Sequence, residues 1–409
     1  MFWSAQMVSL LGTWMQVTGQ AWLVLTMTGS AFRLGVISTV QWTPVLLLSL
    51  YAGVVADRFP KRRILIVTQS GMCLLALTVA WLTLSGRVEY WHLLVAAALV
   101  GTLQAFDFPT RQAFTVEMVG RDDLLNAIAL NSSIFNLARV VGPAAAGLVI
   151  ETFGIGWAFL LNGVSYFGVL YVLAVMRVPD RIRAREDKAI AEIRAGLGYI
   201  GRTRVVLGLM VLIALVSVFA LNFNVLVPLL VRNVLGGEAR EYGFMMSAMG
   251  VGALTGSLSL ATFGAKGRET RLALAGVLVL GLSQLGLAVI TGWTLSAAAL
   301  FVCGAAMVTF ATSSNTAIQL TVPDELRGRV MSVHSLVFIG VTPLGAFITG
   351  SLAEYLGSSV TFGVAGAIAI LTGLGIRASG LLRATTAADR TEASPRPAGR
   401  AGATDGRGS

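Results

Sequence analysis

Three clusters of ionisable and amide side chains stand out, because the sequence around them is almost entirely apolar. In GVVADRFPKRRIL (53–65), Asp57 precedes four cations, Arg58, Lys61, Arg62 and Arg63. In FDFPTR, Asp107 and Arg111 are four residues apart with Pro109 between them. Ser132, Asn136, Arg139 and Pro143 follow at i, i+4, i+7 and i+11, which is one face of a helix. A lone histidine, His334, lies in a later apolar run. Groups of this kind take up and release protons or pair across a moving boundary. They do not make a covalent catalyst. No Ser/His/Asp set and no nucleotide-binding loop occurs. The two histidines and two cysteines (Cys73 and Cys303, both in apolar runs) have no metal-ligand spacing. No enzyme activity, metal or cofactor is expected.

The elements that must position these groups are set by composition. Of 409 residues, 56% are hydrophobic and 12% charged, and the mean hydropathy is +0.78. Soluble domains carry roughly 25% charged residues. This chain therefore reads as an all-α polytopic membrane protein with lipid as its solvent. The alternating pattern of a membrane barrel is absent. Net charge +10 and a pI near 10.3 would suit nucleic-acid binding, but the placement of the basic residues explains them better, and no nucleic-acid partner is expected.

Twelve spans of about 20 residues each are expected. They lie near 3–26, 34–55, 64–84, 91–111, 125–149, 157–176, 205–228, 242–263, 271–290, 294–317, 331–353 and 359–378. With a cytoplasmic N-terminus, 25 of the 30 Lys and Arg residues fall on the inner side. Arg33, Arg87, Arg232 and Arg240 fall outside, and Arg139 falls within a span. That bias puts both termini in the cytoplasm of a multi-pass protein of the plasma (inner) membrane. Span 1 begins almost at Met1, so a leader upstream of it is expected. The organisation is an N-terminal six-helix bundle (1–176), a linker (177–204), a C-terminal six-helix bundle (205–379) and a disordered tail (380–409). Within the linker, Ile190, Ile193, Leu197 and Ile200 share a face, which predicts an amphipathic helix along the inner membrane surface.

The two halves repeat. Shifted by 203 residues, Val119 meets Val322, Phe135 meets Phe338, Gly142 meets Gly345, Gly147 meets Gly350, Glu151 meets Glu354 and Gly154 meets Gly357. The offset covers an even number of spans, so the halves share one orientation, and a substrate site is expected at their interface.

These motifs carry a resemblance. GVVADRFPKRR resembles the signature loop of the major facilitator superfamily. RDDLLNAIALNSSIFNLARVVGPAAAGLVIETFG and VPDELRGRVMSVHSLVFIGVTPLGAFITGSLAEYLG are similar to its enterobactin-exporter-like and macrolide-efflux-like branch, and with FDFPTRQAF and VLVPLLVRNVLGG the resemblance covers both halves. The resemblance implies two pseudo-symmetric six-helix bundles and secondary active transport by alternating access, as drug:proton antiport. It implies that Gly53, Asp57, Arg58, Lys61 and Arg62 form a gating latch, with Asp57 facing the start of span 11. It also implies that an acid in span 4, here Asp107, pairs with the basic end of the loop. Pro60 replaces the usual glycine, and the equivalent loop GSLSLATFGAKGRE lacks the acid, so the latch should be one-sided.

Candidate partners of Asp107 are Lys61, Arg62 and Arg111. Candidates for proton coupling are Asp107, Arg111, Arg139 and His334; Arg139 is also read as lining the transport path, in contact with an anionic substrate or a carboxylate relay, against an internal structural pair. A structural ion pair for Asp107, and a topological role alone for Asp57, are the competing readings. In this superfamily spans 1, 4, 7 and 10 line the cavity. That points to Gln16, Gln20, Trp22, Gln104, Phe219, Asn222, Phe223 and Asn315, with Asn136 from span 5, as a pocket for an amphipathic or aromatic molecule. Gly142, Pro143 and Gly147 form a helix-bending, close-packing element. The expected partners are a small-molecule substrate, protons and membrane lipid, with the chain acting as a monomer. The leading reading is efflux of a drug, siderophore or secondary metabolite; an importer on the same fold or a non-transporting membrane protein are the alternatives.

Overall fold

The computed structural model describes residues 1–120, 123–176, 189–264 and 267–382. The tail from 383, linker residues 177–188, Arg121 and Lys266 lie outside the described residues, and so do the expectations that fall on them. The described chain is helical, as uninterrupted apolar sequence in lipid requires. The elements are α1 (Phe2–Thr28), α2 (Ala31–Arg58), α3 (Lys61–Leu84), α4 (Tyr90–Val119), α5 (Leu124–Phe153), α6 (Ile155–Val175), α7 (Ala189–Arg202), α8 (Arg204–Phe219) and α9 (Phe223–Leu229). After a π-helical turn (Leu230–Val234) come α10 (Ala239–Phe263), α11 (Glu269–Val289), α12 (Trp293–Thr321), α13 (Asp324–Gly340) and α14 (Thr342–Ala378).

Ten helical stretches among the described residues are long and apolar enough to cross a membrane. The last, Asp324–Ala378, has 55 residues, too many for one crossing. It turns back at Gly357, whose φ of 80° is open to glycine and costly for other residues. α1 has 27 residues, and three glutamines lower its hydropathy. Dividing the last stretch and including α1 is compatible with twelve crossings.

The internal repeat is visible in the backbone. Gly154 ends α5 with φ 94° and ψ 163°, and Gly357, 203 residues on, has φ 80° and ψ 163°. α6 ends at Val175 and α14 at Ala378, the same offset. In the first half α1 packs on α5 and α6, α2 on α4, and α3 on α4 and α6. In the second, α12 packs on α10 and α11, and α14 on α8 and α11. Two contacts join the halves extensively, α2 with α14 and α5 with α10.

Two spans are broken where the sequence predicts continuous helices. Between α8 and α9, the Ala220 carbonyl accepts from Gln284 Nε2 at 2.7 Å and the Val218 carbonyl from Asn222 Nδ2 at 2.6 Å. Side chains thus replace the helix bonds lost in an environment without water. The second break, at Val341, separates α13 from α14 just before Pro343. The predicted amphipathic helix is α7. It packs on α13 and α8, with Ile200 buried in protein and Leu197 exposed. Below, the end carrying Arg58, Lys61 and Arg62 is called the basic end, and the opposite end the far end.

Candidate functional site

The far end is closed by small residues. At the α2–α14 crossing, a Cβ added to Gly35 would lie 2.6 Å from the Ala346 carbonyl and 2.8 Å from Gly350 Cα. At the α5–α10 crossing, Gly147 lies against Ala239 and Arg240, Gly243 against the Pro143 carbonyl, and Gly250 against Arg139 and Val140. Backbones this close exclude larger side chains, and dispersion replaces the absent hydrophobic drive between helices in lipid. Polar ties add direction. Thr39 Oγ1 donates to the Pro343 carbonyl at 2.9 Å and Ser247 Oγ to the Val140 carbonyl at 2.6 Å. Glu354 accepts from Ser30 Oγ and from the Phe32 N–H, each at 3.0 Å. Its repeat counterpart Glu151 pairs with Arg240 at 3.5 Å. Arg232 donates to the Leu25 carbonyl, and Trp22 stacks on Tyr242 with centroids 5.7 Å apart.

The basic end is different. Residues 128–133 of α5 are all exposed, which covers every face of the helix over more than one turn. Between Ala138 and Ile150, the exposed positions on α5 narrow to Val141 and Leu148, before a last turn that is exposed again. On α10, Leu258 and Phe263 are exposed. The two halves therefore meet at the far end and part towards the basic end.

The signature loop is tight. Only Phe59 and Pro60 separate α2 from α3. Lys61 is buried and pairs with Glu117 of α4 at 2.8 Å. Arg62 donates to the Leu173 and Ala174 carbonyls at the end of α6, where the last carbonyls lack helix partners. Its cations thus brace the first half. Among the described residues, the acid paired with Lys61 of this loop is Glu117, while Asp107 pairs with Arg111, one of its three candidate partners. Glu117 escaped the sequence reading because the apolar run ends near 111 while α4 continues to Val119. Asp57 is half-buried, Arg58 is exposed, and a Cβ on Gly53 would meet nothing within 4 Å. No described residue ion-pairs with Asp57 or hydrogen-bonds to its carboxylate.

Asp107 is buried and fully met. Its Oδ1 accepts from Thr68 Oγ1 and Gln69 Nε2, each at 2.8 Å. Its Oδ2 accepts from Arg111 Nε at 2.9 Å and Nη2 at 2.7 Å. Arg111 also donates to Gln6 Oε1 of α1. The helix continues through Pro109, so the i, i+4 geometry survives. The network joins α1, α3 and α4 within one half.

Arg139 is half-buried. Its Nη2 donates to Asn136 Oδ1 at 2.9 Å, its guanidinium carbon lies 6.0 Å from the Phe135 ring centroid, and its Nε is buried without a hydrogen-bond partner. Gly142 lets α5 approach α1 at Trp14. Pro143 has no N–H for the Arg139 carbonyl, and that is where Gly250 of α10 packs. His334 is buried and stacks on Phe338, centroids 6.0 Å apart.

The nine cavity candidates differ in their surroundings. Trp22, Asn222 and Phe223 are buried in packing, Phe223 against Phe362. Gln16 accepts from Asn162 Nδ2 at 2.6 Å, and Gln20 donates to Gln41 Oε1 at 3.1 Å, so neighbours on one helix turn to different partners. Asn315 pairs with Gln319 on α12. Gln104, Asn136 and Phe219 are half-buried, and Gln104 Oε1 is buried without a partner.

Known proteins agree with this architecture. The chain is 27% identical over 376 residues to the staphyloferrin A transporter of Staphylococcus aureus, covering 89% of this chain and 92% of that protein. It is 27% identical over 363 residues to the multidrug efflux pump Tap of Mycolicibacterium fortuitum, covering 86% and 88%. The fold matches the crystal structure of a point mutant of the nucleoside transporter NupG with a TM-score of 0.73 at 11% identity, over 91% of this chain and 99% of that one. These relatives are transporters and not enzymes. Residues 1–401 match the family described as transmembrane secretion effector, and the chain belongs to that family of major facilitator superfamily transporters.

Proposed function

We propose that this protein exports a small amphipathic molecule by alternating access, driven by proton entry. Its two six-helix bundles, 1–176 and 205–379, rock about the interface, with 177–204 linking them and 380–409 as a tail. One copy of the chain suffices for a pathway. The basic end is the cytoplasmic face of a plasma membrane, with both termini there; the inside bias of Lys and Arg expected from the sequence supports this. On this assignment the structure is open inward.

The observation that carries the reading is the asymmetry of closure. Glycine crossings seal α2 against α14 and α5 against α10 at the far end, while α5 stands free at the basic end. A packed crossing of this kind has discrete arrangements, which is what a two-state carrier needs. The efflux direction is supported by likeness to a multidrug efflux pump. In the opposite state Asp57 meets the start of α13, where Arg327 and Arg329 follow the two acids of its first turn, and closes the basic end. Asp107, Arg111, Arg139 and His334 are the candidates for coupling, and the half-buried amides and Phe219 contribute the walls of the path.

The test uses inside-out vesicles with a pH-sensitive dye and a panel of drugs and metal-chelating metabolites. Proton release from acidified vesicles on adding a compound, absent in vesicles without the protein, is the expected result. No coupled flux for any compound, with the protein present and folded, contradicts the reading.

A further inference from the structure

Other buried ionic groups of the first half already have a counter-charge. Asp107 is met by Arg111 and Glu117 by Lys61. Arg139 is the exception: among the described residues no carboxylate pairs with it. Its one hydrogen bond goes to Asn136, a turn back on its own helix, and its Nε is buried without a partner. A guanidinium left in this way within a membrane protein is costly unless water or a mobile anion completes it.

Its position says which anion could reach it. The backbone of Arg139 and Val140 touches Gly250 of α10, at the crossing of the two halves. Helical side chains lean towards the N-terminus of their helix, which on α5 is the basic end. The contact with Phe135, four residues back, agrees with that lean. The guanidinium therefore lies at the inner limit of the region where α5 and α10 part. A molecule entering there meets Ser132, Asn136, Phe135 and then Arg139. Phe135 is exposed and packs edge-on against Trp14 of α1, with centroids 5.8 Å apart.

We propose that Arg139 binds a carboxylate, or a similarly planar oxyanion, on the transported molecule, and that Phe135 and Trp14 hold its aromatic or aliphatic body. A guanidinium presents five donors in a fixed fork that matches a carboxylate, and Asn136 engages only one of them. The ligand supplies the counter-charge that the protein lacks. A cationic amphipath meets repulsion at the same point. The inference rests on the exporter reading and narrows its substrate class to amphipathic anions.

The experiment compares carboxyfluorescein, an aromatic anion, with ethidium, an aromatic cation. Binding to detergent-solubilised protein is followed by anisotropy, and transport into energised inside-out vesicles by fluorescence. Wild-type protein is expected to bind and accumulate carboxyfluorescein, with benzoate competing and benzylamine not. Arg139→Gln should weaken carboxyfluorescein binding at least tenfold, and Arg139→Lys should recover part of it. Thermal unfolding identifies a variant that has lost its fold. If Arg139→Gln is unfolded, wild-type selectivity and the Lys variant still decide the matter. Equal binding by wild type and a folded Gln variant overturns the inference, as does competition by benzylamine equal to that by benzoate. Ethidium transport without carboxyfluorescein binding sinks the anion site and keeps the exporter. Carboxyfluorescein binding lost in the Gln variant, without transport of either dye, keeps the site and sinks the exporter.

Discussion

The Glu354 carboxylate of α14 accepts a hydrogen bond from the Ser30 hydroxyl at the start of α2, across the interface between the halves. The free N–H of Phe32 joins it, so the anion sits where a helix N-terminus favours one. Glu151, its counterpart in the repeat, faces Arg240 at the start of α10. Each half thus places an acid from its penultimate crossing on the other half. Replacing Glu354 by Ala should weaken far-end closure by about 1–2 kcal/mol, roughly a tenfold shift in population. Spin labels at Arg87 and Gly292, both exposed at the far end, should report a larger share of long distances.

Gly35→Val should act more strongly. The first atom of its side chain would lie 2.6 Å from the Ala346 carbonyl, which belongs to backbone and cannot rotate away. The far end should fail to close. Alkylation of a cysteine placed at Ser132, on the freely exposed part of α5, should slow at least tenfold from the basic side, with normal membrane insertion.

Asp107 should matter to folding before transport. Asp107→Ala leaves Arg111 charged and half-buried beside Gln6, which costs about 3–5 kcal/mol. Asp107→Leu combined with Arg111→Met should cost much less, because both charges go together. Unfolding temperatures in detergent distinguish the two. If the double variant is folded yet has lost coupled proton flux, the pair serves coupling as well as structure.

Gly53 and Asp57 should show effects only in the other state. Here a Cβ on Gly53 meets open space. Gly53→Val and Asp57→Asn should leave insertion and inward-side substrate binding unchanged and reduce transport severalfold. Normal efflux rates in Asp57→Asn contradict the latch.

What was legible in the sequence follows from what lipid enforces. Long apolar runs had to be helices, and most of their limits agree with the structure within a few residues, but α4 continues past 111 to Val119 and α13 begins at Asp324, ahead of 331. The Asp107–Arg111 pair was legible because i, i+4 spacing brings side chains together on any helix. The Lys61–Glu117 pair was not, since Glu117 lies past the apolar run that marked the span. The breaks at 220–222 and 341 were hidden because one of them depends on Gln284, from a helix distant in sequence. Gly147 and Gly350, and Glu151 and Glu354, were visible as repeat partners. Their shared role at the far-end crossings was not, because a glycine carries no sign of which backbone will approach it.

Alternating access itself is tested most directly by measuring both ends of one protein. Labels at Leu125 of α5 and Phe263 of α10 report the basic end, and labels at Arg87 and Gly292 the far end; all four positions are exposed. Distances are taken by pulsed electron paramagnetic resonance at several pH values, with and without a transported compound. The account predicts that conditions shortening the basic-end distance lengthen the far-end distance in the same proportion of molecules. Distances at the two ends that change together, or a far end that never opens while transport proceeds, would contradict it.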